Sequence, residues 1–498
     1  LLLCWRAAPS YRHMTALPKI IQGGMGVGVS DWRLAQAVSR AGQLGVVSGT
    51  ALDLLLARRL QMGDPGGHLA RAAAKFHLPD VVARVWDRYF IPGGKAPDKR
   101  FLPVPMHSLQ PARSLVELTV LANFIEMTLA KEGHNGIVGL NLLEKIQLPT
   151  IPSLFGAMLA GVDFVLMGAG IPRAIPGILD QLAAGQPTKL RIDVAGADAG
   201  SEHWAHFDPA PFMGQPEGQL RRPAFLAIVS STTLAIALAK KASGRVDGFV
   251  IEGPTAGGHN APPRGAFALN SQGEPIYGAR DEPDLAKIAA LGLPYWMAGS
   301  YGEAGRLADA LALGAVGIQV GTAFAFCEES GLDPAWKQLV LKGSRKRQIR
   351  VVTDPVASPT GFPFKVIHGT EAGLPVCGEG RTRVCDLGYL RHLYQKPDGT
   401  TGYRCPSEPV ADYLRKGGTV EETEGRLCVC NGLVATYGTP QITADGTLEQ
   451  PLLTGGDDAA RIARFLAPGR ESYTALEVIE RLLAPAPPAA DEPAHPAV

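Results

Sequence analysis

Apolar positions along the chain fall into two alternating rhythms. Short runs rich in Val, Ile, Leu and Phe, bounded by glycine or polar turns, alternate with longer stretches in which apolar residues recur every three or four positions. The first rhythm predicts buried strands and the second amphipathic helices. Eight strand candidates stand out, at 19–22, 44–49, 137–143, 162–168, 224–230, 246–253, 294–299 and 316–321. Between them lie helix candidates such as DWRLAQAVSRAG (31–42), SLFGAMLAG (153–161) and TTLAIALAKKASG (232–244), each ending on the glycine that commonly follows a helix. Strands alternating with helices predict an α/β fold with a parallel sheet, and eight such units predict a (β/α)8 TIM barrel over 15–326.

Three regions exceed eight bare units. Insertions at about 63–113 and 188–222, rich in Pro, Gly and charge, are expected to form lids or interfaces. Beyond 326 a C-terminal extension, 327–484, carries a cysteine-containing stretch (377–430) and a closing helix, SYTALEVIERLLA. The tail 485–498 reads as disordered from its Pro and Ala content. Organised sequence begins just beyond Met14, so 1–13 are expected to be an upstream addition or a misassigned start.

Composition narrows the function. With 48 basic and 47 acidic residues among 498, and a formal charge of +1, no net field gathers nucleic acid or an anionic membrane. Hydrophobic residues at 46% and charged residues at 19% are typical of a globular, enzyme-sized chain. No apolar run reaches the length of a membrane span, and the opening residues make a poor signal peptide, so a cytoplasmic location is expected.

Chemistry concentrates at the ends of the expected strands, where barrel enzymes place their sites. After strand seven, Gly299, Ser300 and Gly302 suit close approach of backbone N–H groups to an anion at the start of a helix. After strand eight, Gly321 and Thr322 add another N–H and a hydroxyl. Together they predict a phosphate cradle. Strand one ends in QGGMGVGVSDW, whose Gly24, Gly26 and Gly28 do not have dinucleotide-fingerprint spacing. A flat ligand across the barrel mouth explains them better. Strand six runs into PTAGGH, where Gly257 and Gly258 remove bulk beside the mouth and His259 is placed to take a proton from a bound substrate.

Taken together, IQGGMG, GLNLL, EGPTAGGH, MAGSYG and GAVGIQVGTAFAF resemble the nitronate monooxygenase family, formerly 2-nitropropane dioxygenases, and its longer flavin enoyl-reductase relatives. The resemblance covers about 18–326. It implies noncovalent FMN, with phosphate at Gly299, Ser300, Gly321 and Thr322, Gln319 toward the ribityl chain or phosphate, and the flavin ring near Gly24, Met25, Asn141 and Gly257 to His259. It implies His259 as base and O2 as electron acceptor. In the reductase relatives NAD(P)H reduces the flavin and the substrate is an enoyl thioester, a quinone or a chain on an acyl carrier protein. A homodimer is compatible with either activity. Thr255 departs from the family pattern, which has Glu there, and Arg264 in the following NAPPRG is a candidate partner for a substrate anion.

Seven cysteines in an expected cytosolic chain argue against a disulfide framework. Cys385, Cys405, Cys428 and Cys430 are a candidate ligand set for zinc or an iron–sulfur cluster, although their 19, 22 and 1 intervening residues match no standard zinc module. Buried or redox-capable thiols are the alternative.

Overall fold

The structure is a computed structural model that describes residues 17–198, 200–213 and 220–485. Residues 1–13, expected to be an upstream addition or a misassigned start, and the tail from 486 onward lie outside the described residues. All eight expected strands form: β1 Ile20–Gln22, β2 Gly45–Ser48, β3 Val138–Leu143, β4 Phe164–Gly168, β5 Ala224–Val229, β6 Gly248–Glu252, β7 Tyr295–Ala298 and β8 Gly317–Val320. Each pairs in parallel with its sequence neighbour, and β8 pairs with β1. The Ile21–Leu44 bridge joins β1 to β2 and closes the barrel. Its interior is packed rather than open. Ile21, Val46, Leu166, Leu226, Val250 and Trp296 meet inside it, and the Trp296 indole N–H donates to the Pro18 carbonyl at 2.8 Å.

The turn after β1 is held by side chains. Ser30 Oγ accepts from the Met25 N–H and donates to the Gly23 carbonyl, each at 3.0 Å. Asp31 then caps helix Trp32–Arg40, accepting from the Arg33 and Leu34 N–H groups. Arg59 lies 3.5 Å from Asp31 and 2.6 Å from Glu126, whose second oxygen accepts the Trp32 N–H. One buried guanidinium thus ties three helices to the loop bearing Gly24 and Met25.

Among the described residues neither insertion lines the barrel mouth. Helices His68–Ala73 and Pro79–Tyr89 of the first pack outside the barrel against helix Arg113–Ala130. In the second, strands Thr188–Ile192 and His203–Phe207 form a hairpin that packs Phe207 at a tilt against Phe155 of helix Thr150–Leu159. The mouth is covered instead by residues beyond 327. Strands β9 Arg350–Asp354 and β10 Phe364–His368 form a second hairpin that leans on the loop after β6. The closing helix, Ala475–Leu483, begins with a Thr474/Glu477 capping box and buries Val478, Ile479 and Leu482.

Removing one partner from a buried charge cluster leaves the others uncompensated. Arg59→Met is therefore expected to destabilise the protein by about 3–5 kcal/mol, read as a fall in the thermal unfolding midpoint. Exposed Lys75→Met, which loses only a surface pair with Glu132, is expected to leave the midpoint almost unchanged.

Candidate active site

A cavity of about 230 Å³ opens at the C-terminal ends of the barrel strands. All twelve residues expected to act on substrate or cofactor line it: Gly24 and Met25 after β1, Asn141 on β3, Gly257, Gly258 and His259 after β6, Gly299, Ser300 and Gly302 after β7, and Gln319, Gly321 and Thr322 at the end of β8. Arg264 is not among them. Its side chain is exposed and its guanidinium donates to the Ser230 and Arg280 carbonyls.

Backbone geometry explains several of these glycines. A Cβ on Gly24 would sit 2.4 Å from the Asn141 Cβ, and one on Gly257 would sit 2.6 Å from the Gly456 nitrogen, so neither position has room for a side chain. Gly258, at φ +79°, is the reverse case: an added Cβ would meet no atom within 4 Å, so a side chain there would project into open space. Gly299 and Ser300 are consecutive left-handed residues, at φ 97° and 55°. Three non-glycine residues with positive φ, Ala51, Ala169 and Ser300, line this cavity, which places backbone strain at its rim. The helix after β7 starts only at Arg306, so the N–H groups of 299–302 belong to a loop rather than to the expected helix start.

The extension closes the cavity. Phe364, Tyr389, Leu390, Val429 and Leu433 supply apolar wall, and 454–456 run along the expected phosphate side. Gly456 N–H donates to Thr322 Oγ1 at 2.9 Å, which leaves the threonine hydroxyl proton free to point elsewhere. Asp458 approaches Gly302 and pairs with Arg464, whose guanidinium also donates to the Gly302 carbonyl. Gln319 Oε1 is buried without a hydrogen-bond partner among the described residues. In a folded chain such an acceptor calls for a donor.

The loop bearing His259 is stitched to β10. Lys365 N–H donates to the Gly258 carbonyl and Asn260 N–H to the Pro363 carbonyl, both at 2.9 Å. The imidazole packs edge-on against Phe364 and its Nε2 lies 2.7 Å from Ser358 Oγ. Burial, with the Lys145 charge as a second cause, pushes its pKa down to about 4, so the ring is neutral at pH 7.

The motif reading passed over two residues. Glu252, the last residue of β6, lines the same cavity, and burial pushes its pKa up to about 8. Its signal was present, since it is a carboxylate ending an otherwise apolar strand. Tyr389 has no local signal. Its hydroxyl donates to Asp53 Oδ1 at 2.7 Å, and Asp53 Oδ2 lies 2.7 Å from His107 Nε2, so the first insertion braces the cavity wall from behind.

The four expected metal ligands do not form a metal centre. Cys385, Cys405, Cys428 and Cys430 line one small hollow, but among the described residues no group of three or more His, Cys, Asp or Glu side chains is arranged to hold a metal ion. The Cys428 thiol instead lies 3.8 Å from the Val384 carbonyl and 3.6 Å from the Asn431 amide nitrogen. Among the described residues no helix is long and apolar enough to cross a membrane.

Parts of the chain are similar to known proteins. The nitronate monooxygenase family profile matches residues 182–359. A probable nitronate monooxygenase of Bacillus subtilis is 36% identical over 127 residues, 25% of this chain and 34% of its own. A nitronate monooxygenase of Pseudomonas aeruginosa is 34% identical over 173 residues, 33% of this chain and 46% of its own. The chain thus spans less than half the length of either relative. The crystal structure of a nitroalkane oxidase from Streptomyces ansochromogenes overlays 94% of this chain on 94% of its own, with a TM-score of 0.43 and 17% identity. The segment that builds β5 to β8, the Gly257–His259 loop and Ser358 is the part of the chain that the nitronate monooxygenase family profile matches.

Proposed function

We propose that the protein is an FMN-dependent oxidoreductase that oxidises alkyl nitronates with O2, using His259 as base. The observation that carries this reading is the convergence on one cavity of a neutral, half-buried imidazole and two glycine rims. The residues suit FMN. Gly299, Ser300, Gly302, Gly321 and Thr322 would hold its phosphate, and the unpartnered Gln319 Oε1 would accept from a ribityl hydroxyl. Gly24, Met25, Asn141, Gly257 and Gly258 would border the ring, with open space beside Gly258. FMN, when bound, supplies the transfer of electrons from the substrate carbon to O2.

The rest is the work of side chains. His259, neutral at working pH, removes a proton from the carbon acid or orients its nitronate. Glu252 is largely protonated at pH 7 and so donates a hydrogen bond to an anionic substrate oxygen. The apolar wall from the extension keeps water away and strengthens both interactions.

A second reading, an NAD(P)H-dependent flavin reductase acting on enoyl thioesters or quinones, with an acyl carrier protein as a candidate carrier of the substrate chain, is favoured by that same wall. Phe364, Leu390, Val429, Leu433 and Leu453 offer more apolar surface than a short nitroalkane fills. Anaerobic stopped-flow absorbance of the FMN-loaded protein separates the two readings. Bleaching by a nitronate but not by NAD(P)H supports the first, and the opposite result selects the second.

His259→Gln is expected to lower turnover of a neutral nitroalkane, whose carbon-bound proton has still to be removed, by roughly 10²-fold or more while retaining FMN, measured by fluorescence titration. Because the imidazole pKa is lowered, the neutral base persists until pH falls through about 4. The acid limb of kcat/KM is accordingly expected well below the ordinary histidine value of 6.5.

Glu252 carries the opposite sign. A raised carboxyl pKa contributes stability that is fully present below the unfolded value of 4.5 and is lost as pH rises through about 8. Glu252→Gln, which cannot ionise, should match the parent protein at pH 5 and exceed it at pH 8.5 by on the order of 1 kcal/mol, read from thermal melts at the two pH values.

A further inference from the structure

The base needs a way to discharge its proton. An imidazolium at His259 is disfavoured by burial and by Lys145, so a proton taken from substrate must leave before the next turnover. Ser358 is fully buried and is the group on Nε2, at 2.7 Å. Its oxygen also lies 2.9 Å from Thr360 Oγ1 and accepts the Thr360 N–H at 3.2 Å. A serine hydroxyl has one proton and two lone pairs. With one lone pair committed to the Thr360 N–H, Ser358 must donate toward one of His259 and Thr360 and accept from the other. The chain is therefore directional, and reversing it moves one proton along it.

The far end reaches a different space. Thr360 lines a second cavity, also of about 230 Å³, with Lys145, Gln147 and Asp193, and Asp193 is exposed at the protein surface. Tyr389 and Leu390 line both cavities and form the partition between them. The turn that carries the two hydroxyls is held in place. Arg426 donates to the Val356 carbonyl at 2.7 Å and to the Ser358 carbonyl at 2.6 Å, Asp354 Oδ1 accepts the Val356 and Ala357 N–H groups, and Phe362 N–H donates to Thr360 Oγ1 at 3.3 Å.

We propose that Ser358 and Thr360 form a hydroxyl relay that carries the proton accepted by His259 through the partition into the second cavity. The proposal rests on the reading of His259 as base. In the step, His259 Nδ1 takes the substrate proton and Nε2–H passes its proton to Ser358 Oγ. The Ser358 hydroxyl proton moves to Thr360 Oγ1, and the Thr360 proton leaves to water or a buffer base in the second cavity. One proton enters and one leaves, the imidazole ends neutral as its Nδ1–H tautomer, and rotation of the two hydroxyls with tautomer exchange resets the chain. Ser358 and Thr360 are thus positioning residues that act through His259.

Three variants test it: Ser358→Ala, Thr360→Val, which keeps shape and removes the hydroxyl, and Thr360→Ser, which keeps the hydroxyl. In ¹⁵N-histidine NMR, with the His259 signal assigned by its loss in His259→Gln, the parent protein is expected to show mainly Nε2–H and Ser358→Ala a shift toward Nδ1–H. With the FMN-loaded protein and a nitroalkane, Thr360→Val should lower kcat by about tenfold while kcat/KM stays within about twofold. Thr360→Ser should behave as the parent, and added imidazole buffer should restore the Thr360→Val rate. An unchanged kcat in Thr360→Val, or an equal loss in Thr360→Ser, overturns the relay. When His259→Gln abolishes turnover and Thr360→Val does not, the relay alone is rejected. Turnover retained in His259→Gln rejects the base reading and the relay with it.

Discussion

Two backbone hydrogen bonds carry the site. Lys365 N–H to the Gly258 carbonyl and Asn260 N–H to the Pro363 carbonyl extend β10 by a short antiparallel pairing onto the loop after β6. Without them, a loop containing two consecutive glycines would sample many conformations, and ordering each residue costs about 1–2 kcal/mol of backbone entropy. With them, His259 is fixed between Phe364 and Ser358, and its carrier loop presents backbone rather than side chain to the cavity. The barrel supplies the rim, but the hairpin beyond it sets the position of the imidazole.

That division of labour recurs around the mouth. The barrel contributes positions where a backbone must come close: Gly24 against Asn141, the left-handed Gly299–Ser300 pair, and Gly321 beside Met25. The extension contributes enclosure. Gly455 and Gly456 fit against Gly257, Asp457 N–H donates to the Thr255 carbonyl, and the Thr322 hydroxyl accepts from Gly456. The Thr255 that departs from the family pattern is thereby part of the seam between barrel and cover. A larger residue at 257 or 456 would part that seam, since a Cβ on either position falls within 2.8 Å of the other segment's backbone.

What the chain disclosed before folding follows from range. Parallel strands buried on both faces read as short continuous apolar runs, so all eight were legible, and rim glycines were legible because strand ends locate them. Ser358, Tyr389 and Asp53 were not, because their contacts join residues 99 and 336 positions apart and leave no local periodicity. The insertions were legible as lids or interfaces, and their apolar faces pack on the outer helices and on the wall behind Tyr389. The four cysteines do gather at one hollow, but ligation depends on the geometry of their sulfur atoms, which spacing along a chain does not encode.

The chemistry of the cavity follows from enclosure more than from any single residue. One apolar wall lowers the basicity of His259 and raises the pKa of Glu252, because burial penalises whichever form is charged. At neutral pH both are therefore uncharged, one a free acceptor and the other a free donor, with Lys145 as the nearby cation that disfavours the imidazolium. An uncharged acceptor and an uncharged donor lining one cavity suit a substrate whose negative charge develops on oxygen as a carbon-bound proton departs. The same burial that makes His259 reluctant to keep a proton makes a buried hydroxyl at its other nitrogen more than a packing detail.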